Sequence, residues 1–171
     1  YVFVYDRLIM ETPSVSYALG FNNEQVGTLQ GQYIVEQLDL ENTDGPYTIE
    51  FFSGSPDDSN AKLFYKGALD VLQPYLDNGK LVCSSGQTDF DTVSTMSWKA
   101  ENAAARMDNL ISAYYTDTTE LDAILSSNDS IAWGVTTSLV NAGWTNENFP
   151  ILTGQDCDIP IVISIADGKQ S

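Results

Sequence analysis

Short apolar runs and amphipathic stretches alternate along this chain. Residues 2–5 (Val-Phe-Val-Tyr) are an apolar run that ends in Asp6-Arg7, as expected of a buried strand entering a polar loop. Over 14–21 the large apolar side chains fall at every second position (Val15, Tyr17, Leu19, Phe21), which predicts a second extended segment. The period then lengthens. Val26, Leu29, Tyr33, Ile34 and Leu38 recur at helical spacing behind Asn22-Asn23, which can cap a helix, and Glu-Asn-Thr-Asp-Gly-Pro at 41–46 stops it.

From there strand and helix repeat. The pattern predicts a strand over 47–52, then a helix over 61–76 whose last turn Pro74 disturbs. It continues with a strand over 80–84, a long polar loop and a helix over 99–115. A strand over 121–126, a helix over 130–141 closed by Gly143, a strand over 150–153 and a last apolar run over 161–165 complete it. Strands separated by helices are joined by crossover connections, which parallel strands require. The fold expected is therefore α/β, a doubly wound parallel sheet of the flavodoxin or Rossmann-like type.

Composition narrows the function. The 171 residues suit one domain and little more. Asp and Glu number 24 against 7 Lys and Arg, and the formal charge of −17 repels phosphate backbones and anionic lipid, which argues against nucleic-acid and membrane-surface partners. The chain has no His, so the commonest general base and the commonest zinc ligand are both missing. Cys83 and Cys157 make no disulfide framework, match no metal-ligand spacing, and read as small apolar residues in or beside strands. No apolar run approaches the roughly 18–20 residues needed to span a bilayer. An opening that is already strand-like, with no initiator Met and no leader pattern, is what a piece of a longer protein would show.

Candidate chemistry collects after the strands. Asp6 and Arg7 follow the first. Ser55, Asp57, Asp58 and Asn60 follow the strand at 47–52. Gln87 and a loop reaching Trp98 follow the next, then Asn128 and Asp129, then Gln155 and Asp156. In an open parallel sheet these positions share the carboxyl edge, where such folds bind ligands. Helix capping is the competing explanation for each Asp or Asn, and it accounts for Asp129. Carboxylate, carboxamide and guanidinium groups each present paired atoms in a plane, which vicinal sugar hydroxyls can bridge, and an indole face suits the C–H side of a pyranose. Phosphate ligands fit badly, because no Gly-rich phosphate loop follows a strand. Without His, a Ser or Cys nucleophile lacks its usual base. Asp57 and Asp58 are the only adjacent carboxylates offered for glycosidase or divalent-cation chemistry, and neighbours in a loop seldom point the same way.

Several stretches, in this order, resemble the type I periplasmic sugar-binding proteins of ABC transporters, in their xylose- and multiple-sugar-binding branch. They are Tyr5-Asp6-Arg7, Gly31-Gln-Tyr-Ile34, Gly54-Ser-Pro-Asp-Asp-Ser-Asn-Ala-Lys62, Trp98-Lys-Ala-Glu-Asn-Ala103, Ser127-Asn128-Asp129 and Gly154-Gln-Asp156. The resemblance runs through essentially the whole chain. It implies a two-lobed receptor that closes over a monosaccharide, without catalysis or cofactor, and delivers it to a membrane permease for import or chemotaxis. Residues 1–21 would be the last strand of the N-terminal lobe and a crossing strand, and 22–171 most of the C-terminal lobe. The ligand set implied is Asp6, Arg7, Asp58, Asn60, Trp98 as the stacking residue, Asn128 and Asp156. The chain departs from the family pattern at Ser59, at Lys62 and at Cys157 beside Asp156. The location implied is extracytoplasmic, either periplasmic or lipid-anchored, with membrane contact only through the transporter or the anchor. The alternatives are the sugar-effector domain of a LacI-type repressor, which shares the fold, and a phosphoacceptor domain of response-regulator type. The latter would want a Lys where this chain has Asp156-Cys157-Asp158.

Overall fold

A computed structural model describes residues 1–116 and 120–167. The last four positions of the expected second lobe, 168–171, lie outside the described residues. Two parallel sheets form. β1 (Phe3–Tyr5) and β2 (Tyr17–Leu19) pair in register Phe3 to Tyr17 and Tyr5 to Leu19, forming a two-stranded sheet of their own. The larger sheet contains β3 (Tyr47–Phe52), β4 (Leu81–Val82), β5 (Ala123–Ser126) and β6 (Ile151–Leu152), all parallel, in the order β4-β3-β5-β6.

Helices cover both faces of the larger sheet. α1 (Asn23–Gln37) packs with α2 (Ser59–Asp77) on one side, and α4 (Ala100–Tyr114) packs with α5 (Asp129–Asn141) on the other. The division is written in the strand pleat, where successive side chains point to opposite faces. Ile49, Phe51, Ala123 and Leu125 join Ile34, Ala68 and Leu72 in one buried cluster. Phe52 and Ile124 join Met107, Leu110, Ile131 and Leu139 in the other. The expected doubly wound α/β sheet is the architecture found.

Four local features differ from the sequence expectation. The strand expected at 80–84 ends after Val82, because Ser85 turns back to a buried carboxylate: its N–H and hydroxyl donate to Glu50 at 3.0 and 2.7 Å. Glu50 is fully buried in β3 and also accepts from the Tyr115 hydroxyl at 2.6 Å. The polar loop that follows is not structureless. It contains α3 (Phe90–Val93), capped by the Asp89 carboxylate on the Thr92 N–H, and a 3₁₀ turn at Met96–Trp98. The helix expected over 61–76 runs from Ser59 to Asp77, with Pro74 inside it. The last apolar run belongs to a helix, α6 (Ile159–Ala166), with Pro160 in its first turn, where a missing N–H costs nothing.

Candidate functional site

The carboxyl ends of β3, β5 and β6 face the polypeptide that follows β1, and between them lies a cleft of about 410 Å³. Its walls contain every residue of the expected ligand set: Asp6, Arg7, Asp58, Asn60, Trp98, Asn128 and Asp156. Larger hollows exist, about 870 Å³ at the opposite ends of β5 and β6 and about 540 Å³ between α1 and α6. The first lies away from the carboxyl edge, and the second is mostly apolar. Of these three, the smaller cleft is the one that combines the carboxyl edge of the sheet with converging polar groups among the described residues.

The helices bring the polar groups in through their caps. Asp58 caps α2 with one carboxylate oxygen, which accepts from the Asn60 N–H at 3.0 Å. Its other oxygen accepts from Trp98 Nε1 at 3.2 Å and pairs with Arg7 Nε at 3.0 Å. Asn128 caps α5 by accepting from the Ile131 N–H at 3.0 Å, while its Nδ2 donates to Asp156 Oδ2 at 3.1 Å. Capping and cleft-lining are therefore one arrangement, with different atoms of the same side chain doing each. Asp129 does not cap. It is the first residue of α5, and its carboxylate accepts from the Asp158 N–H at 2.8 Å. Burial pushes the Asp129 carboxyl pKa up, and the charges of Asp158 and Asp156 push the same way.

Asn60 is 8% exposed and lines the cleft, yet no side chain among the described residues pairs with its carboxamide. It therefore keeps both a donor and an acceptor for a ligand. Four carboxylates (Asp6, Asp57, Asp58, Asp156) face one guanidinium, so the cleft is rich in acceptors. Asp57 and Asp58 do not act as a pair: Asp57 accepts from the Ser55 hydroxyl, and Asp58 serves Arg7 and Trp98. Lys62 stands two residues past Asn60 and faces elsewhere, its ammonium 5.5 Å from the Phe90 ring centre.

The backbone is held in unusual geometry here. Asp6 (φ 70°), Ser97 (56°), Trp98 (57°) and Asp156 (94°) all have left-handed φ, which costs a non-glycine residue about 1–3 kcal/mol unless its surroundings enforce it. Such outliers concentrate at ligand sites. Ser55, Phe64, Ser97 and Gln155 also line the cleft; Ser55 and Gln155 are among the polar residues that follow strands, but none of the four is in the expected ligand set. Phe64 had a signal, since it lies one helical turn beyond Asn60 on the same face of α2. Gln155 donates to the Ser127 carbonyl at 2.7 Å and ties β6 to the end of β5.

The model of the family described as periplasmic binding protein domain matches residues 1–171. The chain is 49% identical over 171 residues to the multiple sugar-binding periplasmic protein SbpA of Azospirillum brasilense, covering 99% of this chain and 48% of that one. It is 50% identical to the multiple sugar-binding periplasmic receptor ChvE of Rhizobium radiobacter, with the same shares covered. The chain thus spans about half the length of these curated relatives. Among solved structures, it superposes with TM-score 0.94 at 54% identity on an ABC transporter solute-binding protein from Clostridium phytofermentans with bound β-D-glucose. That match covers 99% of this chain and 52% of the other.

Proposed function

We propose that this chain, which belongs to the periplasmic binding protein domain family, forms most of one lobe of an extracytoplasmic receptor that binds a monosaccharide for an ABC transporter permease. The observation that carries this is the convergence of Asp6, Arg7, Asp58, Asn60, Trp98, Asn128 and Asp156 on one cleft at the carboxyl edge of the sheet. Relatives and a structural neighbour that bind sugars support it. The cleft suits binding rather than catalysis, because its polar groups are placed to exchange hydrogen bonds with hydroxyls.

The residues divide by the atoms they have left. Asn60 offers both ends of its carboxamide, and Asp6 and Asp156 offer carboxylate oxygens. Asn128 offers one N–H, since its other amide hydrogen goes to Asp156. Arg7 offers the guanidinium N–H groups that Asp58 does not take. Asp58 acts mainly as a hub, fixing Arg7 and the indole of Trp98. The indole supplies the apolar surface for a pyranose ring.

In this reading residues 1–21 are the last strand of the opposite lobe and a strand crossing between the lobes. β1 and β2 form a separate sheet whose Phe3, Tyr5, Tyr17 and Leu19 are each at least 60% exposed. Sugar bridging Asp6 and Arg7 to the strand ends of the larger sheet favours the closed arrangement by its differential affinity for it.

Titration calorimetry of the full-length receptor against monosaccharides, beginning with D-glucose, tests the assignment. Asn60→Ala and Asp156→Ala are each expected to weaken the preferred sugar by about 1–3 kcal/mol, the cost of leaving a hydroxyl unpaired. Unchanged affinity in both variants would remove the sugar from this cleft.

A further inference from the structure

Trp98 can serve as a stacking platform only if its ring stands at a fixed angle in the cleft, and its own backbone does not favour that. Ser97 and Trp98 are consecutive residues with left-handed φ, at 56° and 57°, in a turn that makes no internal side-chain cap. Something outside the turn has to hold it.

The strand-end loop after β3 is placed to do so. Ser55 is 1% exposed, and its Oγ accepts from the Ser97 N–H at 2.8 Å while donating to the Asp57 carboxylate. A hydroxyl that gives its proton to a carboxylate is a better acceptor on its free side, so the two bonds reinforce each other. One residue earlier, Gly54 leaves the space that the indole fills. A Cβ built there would lie 2.0 Å from the Trp98 ring carbon Cη2 and 2.3 Å from Cζ2, where no real Cβ can stand. The Thr95 N–H bonds the Ser53 and Gly54 carbonyls at 3.0 and 3.1 Å, tying the start of the turn to the same loop. Phe64 meets the ring edge-on at 6.4 Å, and Asp58 takes its N–H.

We propose that Ser55 is a positioning residue for the sugar site, setting the Trp98 ring through its bond to the Ser97 N–H, with Gly54 providing the floor beneath the indole. The proposal rests on the sugar-binding reading and deepens it, because it names what orients the platform. Ser55 itself need not touch the ligand.

Three tryptophans in the chain allow ¹⁹F NMR of 5-fluorotryptophan-labelled full-length protein, with the Trp98 signal assigned by Trp98→Phe. Ser55→Ala is expected to shift or broaden that resonance, leave the other two in place, and weaken D-glucose binding about tenfold. Ser55→Thr and Ser55→Val have nearly the same shape and differ in the hydroxyl, so any burden from added bulk is common to both. The Thr variant is expected to restore the resonance and the affinity and the Val variant to restore neither. The proposal is overturned if Ser55→Ala keeps the parent's Trp98 resonance and affinity, or if the Thr and Val variants behave alike. A Trp98→Ala variant that binds D-glucose as the parent does would instead sink the sugar site, and the response of the Trp98 signal to Ser55→Ala would still decide the positioning role.

Discussion

At the scale of single residues, the site is built from side chains that serve two masters. Asp58 and Asn128 each spend one oxygen on a helix N–H and turn the remaining atoms to the cleft. Capping and binding therefore could not be separated by residue type in the sequence, and position after a strand was the useful signal. All seven residues of the set that the resemblance implied line one cleft. Ser97 was missed for a physical reason: it contributes a backbone N–H, which every residue but proline has. Helix capping was the wrong explanation for Asp129, which lies one residue past the cap. The Asp129 carboxyl has its pKa raised, by burial first. A carboxyl that holds its proton more tightly when folded stabilises the protein at low pH, and that contribution is lost as pH rises from the unfolded pKa, about 3.9, through the higher folded one. Asp129→Asn is uncharged at every pH and should lack this component. Urea midpoints measured between about pH 4 and 7 should therefore decline more with rising pH in the parent than in the variant. Equal pH slopes would contradict the shift.

At the scale of elements, the strands and long helices were legible because their periods, two and 3.6, differ over enough residues to count. α3 was not, since four residues cannot show a helical period and its start depends on the Asp89 cap. The early end of β4 was hidden for another reason: it depends on Glu50, 35 residues away in sequence from Ser85. The closeness of the helix pairs was also hidden. Where α1 crosses α2, a Cβ on Gly27 would lie 1.8 Å from the Phe64 carbonyl oxygen and one on Gly67 2.0 Å from the Glu24 carbonyl oxygen. Both obstacles are backbone, which cannot swing aside as a side chain can. Gly67→Ala would gain about 1 kcal/mol of helix propensity yet force the helices apart. Overpacking of this kind typically costs about 1–3 kcal/mol and sometimes more. The expected outcome is a net loss of stability in urea unfolding. A more stable variant would mean that the crossing is looser than the carbonyl distances require.

At the scale of the whole molecule, the question is how much of a binding site residues 1–171 supply by themselves. They carry both sides of the cleft, but the two sheets do not hydrogen-bond to one another as a ladder. The ion pair between them joins an Arg7 side chain that is 64% exposed to an Asp58 side chain that is 3% exposed. With its guanidinium largely in solvent, where salt screens it, this one pair does not by itself hold Asp6 and Arg7 at a fixed distance from Asn60 and Asp156. Small-ligand sites generally enclose about 70–90% of the ligand surface, whereas this cleft relies on a wall whose aromatic faces, Phe3, Tyr5 and Tyr17, stand largely in solvent. A sugar binding here would have to organise its own receptor, and that ordering cost is subtracted from its affinity. Residues 1–171 expressed alone are therefore expected to bind D-glucose at least about 100-fold more weakly than the full-length receptor, a loss of about 2.7 kcal/mol. Calorimetry on the two proteins side by side checks this. Equal, micromolar affinity would mean that the larger lobe is sufficient on its own, and that Asp6 and Arg7 are held by more than the contacts seen between the sheets.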